Sequence, residues 1–74
     1  MDIKTLQFYT EIKKDYEFTY KNKKYDLSYK KDNNGKDLIL FGLQYQQQIF
    51  HSFNELINNA KIENSFFREV IKVL

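Results

Sequence analysis

Seventy-four residues with 42% hydrophobic and 18% aromatic content and a net charge of +2 make one small domain, spanning residues 1–74, that a packed core must hold together. The chain has no cysteine, which excludes disulfide support, and its single histidine leaves no metal-site pattern. A charge of +2 is too small to imply a polyanionic partner by itself.

No apolar run approaches the ~20 residues of a membrane-spanning helix, and the opening MDIKTLQFYTEIKK lacks the basic start and apolar stretch of a signal peptide. Cytoplasmic residence is therefore expected, without membrane association. Lysine far outnumbers arginine, and Asn, Ile, Tyr and Phe are abundant. That bias suggests an AT-rich coding sequence, as in a low-GC bacterium or its mobile elements.

In chain order, Asp2 is a plausible N-cap, and Ile3, Leu6, Tyr9 and Ile12 recur at near-helical spacing. The pattern predicts a helix over 3–13, with Lys13 and Lys14 at the negative end of its dipole. From Tyr16 the period becomes two. Tyr16, Phe18 and Tyr20 alternate with polar residues, and Tyr25, Leu27 and Tyr29 do the same, as in strands buried on one face. Asn22-Lys23 is the predicted first turn and Asn34-Gly35 a type I′ second turn. Asp37 to Leu43 is the third strand. Gln44 to Phe50 (QYQQQIF) reads as a polar bend and a short fourth strand.

Ser52 and Glu55 form a capping box ahead of Phe53, Leu56, Ile57 and Ala60. Lys61 to Asn64 breaks that helix, and Asn64 or Ser65 caps a last one running to the chain end. The predicted fold is α+β: an N-terminal helix, a three- or four-stranded antiparallel meander, and two C-terminal helices packed on one sheet face.

Two-residue turns set the expected register. Tyr20 then faces Tyr25, Phe18 faces Leu27, Tyr16 faces Tyr29, Tyr29 faces Leu40 and Lys31 faces Leu38. One sheet face collects Tyr16, Phe18, Tyr20, Tyr25, Leu27, Tyr29, Leu38 and Leu40 as the core. The other carries lysines, and on the third strand Ile39, Phe41 and Leu43. A three-residue loop over Asn33 to Gly35 would instead slip the register by one and turn those three inward.

Function is less legible. The stretch YKNKKYDLSYKKDNNGK, Tyr20 to Lys36, interleaves lysine with tyrosine, and Lys13 to Lys36 holds eight lysines against four acidic residues. A base-stacking sheet needs exposed aromatics, and the register that exposes the lysines buries the tyrosines. A solvated hairpin face is the better reading. Nucleic-acid contact through Lys21, Lys23, Lys24, Lys30 and Lys31 is the alternative.

Catalysis has little to draw on. His51 sits at a helix entry without a partner in the pattern, Ser52 and Ser65 read as caps, and neither Gly35 nor Gly42 opens a phosphate loop. No catalytic, metal or cofactor residues are assigned, and no enzyme activity is expected. The last helix, SFFREVIKVL, turns Phe66, Phe67, Val70, Ile71 and Leu74 to a core, which leaves too few polar side chains to read a major groove.

The predicted element order is similar to that of some small phage inhibitors of CRISPR nucleases, without a shared motif. That resemblance implies an acidic, DNA-like surface, whereas the hairpin here is basic. The functional expectation is a non-enzymatic protein-interaction module. Ile39, Phe41, Leu43 and Tyr45 form its candidate interface, for an unknown protein partner or for a homodimer through the third strand.

Overall fold

In the computed structural model, which describes all 74 residues, the Asp2 carboxylate accepts the Thr5 N–H at 2.7 Å and caps α1 (Ile3–Glu11). The helix stops two residues short of the predicted end, because Lys13 takes a left-handed conformation with φ 56°. Lys13 N–H then donates to Thr10 O at 3.3 Å and Lys14 N–H to Tyr9 O at 2.8 Å, a Schellman closure. The Lys14 ammonium settles 4.7 Å from the centre of the Tyr9 ring.

Four strands follow: β1 (Tyr16–Tyr20), β2 (Lys23–Lys31), β3 (Asp37–Leu43) and β4 (Gln46–Phe50). They form an antiparallel meander in the order β1-β2-β3-β4, so the α+β architecture is the predicted one, with the fourth strand present. Both predicted registers are corrected. The first turn is Lys21-Asn22, both at positive φ (50° and 66°), as a type I′ turn requires. Phe18 therefore faces Tyr25, Tyr16 faces Leu27 and Tyr20 faces Lys23. This slip of two keeps every β1 side chain on its predicted face. It also leaves Tyr29 beyond the end of β1, where its hydroxyl donates to Lys14 O at 2.9 Å.

The second correction changes faces. Lys31 pairs with Asp37, Tyr29 with Ile39 and Leu27 with Phe41. Asp32 determines this loop: its Oδ1 accepts the N–H groups of Asn34 at 2.8 Å and Lys36 at 2.9 Å. Gly35 N–H donates to Asp32 O, and Gly35 takes φ 81°, giving a three-residue loop with a glycine bulge. The odd loop length slips the register by one, so Ile39, Phe41 and Leu43 face the core while Leu38 and Leu40 turn to the other face, where Leu38 is still buried (7% exposed) outside the main cluster and Leu40 is half-buried.

The Glu55 N–H donates to Ser52 Oγ at 3.1 Å and starts α2 (Phe53–Asn59), while a Glu55 carboxylate oxygen accepts the His51 N–H at 3.0 Å. The predicted break after α2 is a small hairpin, β5 (Lys61–Ile62) and β6 (Ser65–Phe66), turned at Glu63 with φ 56°. The last helix is shorter than predicted: α3 is Phe67–Val70, continued by a 3-10 turn over Ile71–Val73, and no side chain caps it.

Leu6, Leu27, Leu56, Phe67 and Ile71 are fully buried between the helices and one face of the sheet. Phe18, Tyr25, Phe41 and Phe67 stack there, with Phe41 and Phe67 ring centres 4.1 Å apart. Such pairs stabilise by about 0.5–1.5 kcal/mol beyond their buried area. No helix is long and apolar enough to cross a membrane.

Candidate interaction site

β4 is a sheet edge. Its residues pair with β3 on one side, and none of their backbone groups bonds to anything on the other. Alternate N–H and C=O groups along such a strand point away from the sheet. Edges of this kind are normally blunted by charge, proline or a covering element. β1, the other edge, follows that rule with Glu17 in the strand and Asp15 and Lys21 flanking it. β4 does not, because no charged residue occurs anywhere from Leu38 to Phe50. At its start Tyr45 is 92% exposed, held at φ 73° in the hairpin turn, and Ile49 on the open face is 47% exposed.

Beside this edge, on the helix side of the sheet, lies a solvent-open groove of about 420 Å³. Tyr25, Phe41 and Leu43 form its floor. Gln46 and Gln48 of β4 and Asn59 and Lys61, where α2 gives way to β5, form its walls. Lys23 and Glu63 line it as well, and the Glu63 carboxylate has Lys21 Nζ at 3.6 Å and Lys23 Nζ at 3.9 Å. Lys61 has no carboxylate within ion-pair distance, and its ammonium lies 5.0 Å above the Phe66 ring. The groove thus pairs an apolar floor with amide walls and an excess of cationic groups.

The opposite, open face of the sheet is held by a polar crossing. Asp26, Gly42 and Gln47 stand side by side on β2, β3 and β4, and the Gln47 amide donates to the Asp26 carboxylate and to Ser28 Oγ. Burial pushes the Asp26 carboxyl above its ordinary value, Glu17 and Asp15 add to the rise, and the Gln47 hydrogen bond opposes it.

The predicted interface residues divide. Ile39 and Phe41 are 8% and 2% exposed and belong to this chain's own core, and Leu43 is half-buried on the same face. β3 is paired on both sides, so a homodimer through the third strand has no free edge to use. Only Tyr45 of the four stands in solvent. The fourth strand was expected, but not as the exposed edge, although the charge-free run from Leu38 to Phe50 was a signal that could have found it.

The five candidate lysines do not form one patch. Lys24 and Lys30 lie six residues apart on β2, roughly 20 Å at the usual strand rise. Lys21 and Lys23 pair with Glu63, Lys24 with Glu17 at 4.0 Å, and Lys31 with Asp37 at 2.9 Å. Only Lys30 among them lacks a carboxylate partner. His51 Nδ1 lies 3.4 Å from Glu55, so its one partner is the residue that caps the same helix.

Comparison with protein-family models, with curated proteins and with solved structures finds no match for this chain. The geometry alone carries the functional argument.

Proposed function

We propose that this is a non-enzymatic, cytosolic protein-interaction module that takes an extended segment of another protein as a fifth strand on β4. The observation that carries the reading is the unguarded edge: five strand residues with free backbone groups, no charge and no cover. Main-chain hydrogen bonds supply affinity in strand addition, and pockets for alternate side chains supply selectivity. The groove beside Gln46 and Gln48 is such a pocket.

The test uses a randomised nine-residue peptide library displayed against the immobilised protein. Selected peptides should slow amide exchange and shift the NMR signals of residues 46–50. Perturbations confined to α1, or to the Lys24 and Lys30 face, would refute the reading.

A further inference from the structure

We infer that the incoming strand carries an acidic side chain, which the groove beside β4 receives. This rests on the strand-docking reading and names its partner's chemistry. Side chains of an added strand alternate between the two sheet faces, so every second one projects over the helix-side groove. What it meets there is uneven in charge. Lys61 has no carboxylate partner, and Lys23 is held only loosely by Glu63 at 3.9 Å, a carboxylate that Lys21 also approaches at 3.6 Å. Gln46, Gln48 and Asn59 bring neutral amides that donate hydrogen bonds as readily as they accept them. A carboxylate entering this groove gains two ammonium partners and amide donors against one like charge, Glu63, whereas a lysine would meet two like charges with that one shared counter-ion.

A second copy of this chain does not complement the site as well. Two β4 strands paired antiparallel offer each other only Gln, Ile and Phe, with no carboxylate for Lys61. The occupant is therefore a different chain with an extended acidic segment, and charge complementarity is what selects it.

The experiment reads the sequences of the peptides selected above. Asp or Glu should be enriched at positions of one parity, and binding of a selected peptide should fall several-fold when that residue becomes Gln. Lys61→Glu should weaken the acidic peptide about tenfold or more and favour its Lys counterpart. Because Lys61 is exposed, circular dichroism of the variant should match the parent. Peptides that protect β4 yet show neutral or basic residues at those positions would overturn this inference and leave strand docking standing. Failure to select any peptide that protects β4 removes both. A protein that sediments as a dimer at about 100 μM, with β4 amides protected without peptide, would make the second copy the occupant and overturn the inference.

Discussion

Gln47 reaches Asp26 across Gly42: the three residues are cross-strand neighbours, and the glutamine amide spans the middle strand to the carboxylate on β2. Glycine is needed at the middle position because the β4 backbone packs closely against it. Gly42 has φ 150°, and a Cβ there would lie 3.1 Å from Gln46 O and 3.3 Å from Gln47 Cα. Gly42→Ala should therefore cost about 1–3 kcal/mol in urea denaturation and shift the Gln47 side-chain amide signal. A cost within ~0.5 kcal/mol, as for an ordinary surface change, would mean the strands do not approach so closely there.

The carboxylate end of that crossing has its own pH signature. Burial, with Glu17 and Asp15 nearby, raises the Asp26 carboxyl above its ordinary value in the folded chain. The folded state then holds this proton more tightly than the unfolded one, so ionising Asp26 costs stability as pH rises through its folded value. Asp26→Asn keeps an acceptor for Gln47 and removes that cost. The variant should equal or exceed the parent in stability at pH 7, and the difference should shrink in acid.

The register on β3 makes an opposite pair of predictions for adjacent residues. Phe41 is 2% exposed and stacked on Phe67, so Phe41→Ala should cost about 3–5 kcal/mol, a large part of the stability of a domain this size. Leu40 faces the open side and is half-buried, so Leu40→Ala should cost clearly less, about 1 kcal/mol. Equal losses by chemical denaturation would return β3 to the register of a two-residue loop.

The comparison of those two residues also shows where the sequence was legible. Alternation in β1 and β2 and the Asp2 and Ser52 caps were readable, because each depends on local spacing, whereas the last helix was only partly so: Ser65 and Phe66 pair in β6 instead of opening it, and no side chain caps it. The face of β3 was not, because Leu38 to Leu43 is apolar on both faces and its period carries no phase. The phase came from Asp32, whose carboxylate accepts two loop N–H groups and makes the loop odd in length. The candidate site moved with it: once Ile39 and Phe41 turn inward and β4 pairs with β3, the unguarded edge becomes β4.

Alkali should loosen the fold through its tyrosines. Burial, with Asp15 nearby, pushes the Tyr29 hydroxyl up to about 12, and burial also raises Tyr16 and Tyr25. Unfolded tyrosines lose their protons near ~10. Between that value and the folded ones the unfolded chain binds fewer protons, so stability present below pH ~10 is lost as pH rises toward 12. Tyrosinate absorbance should show these three groups ionising late. Tyr29→Phe should remove part of the alkaline loss, along with the hydrogen bond to Lys14 O. A parent whose six tyrosines all titrate together near pH 10 would contradict the burial of these rings.

The basic hairpin is expected to be inert toward nucleic acid. Phosphate binding draws its strength from several cations acting together on one backbone, and removing any one of them lowers both affinity and salt dependence. Here Lys21 and Lys23 share the single carboxylate of Glu63 and Lys24 lies 4.0 Å from Glu17 at one end of β2, while Lys30 sits near the other, so no run of cations follows one backbone. Exposed pairs of this kind contribute about 0.2–1 kcal/mol each at most. Changing Lys21, Lys23, Lys24 and Lys30 together to Gln should therefore leave the circular dichroism spectrum intact and lower stability only slightly. Neither parent nor variant should shift a short single-stranded or duplex oligonucleotide in low salt. Micromolar, salt-sensitive binding by the parent that the quadruple variant loses would show that the carboxylate pairing does not neutralise this surface, and would put nucleic acid ahead of a protein strand as the partner.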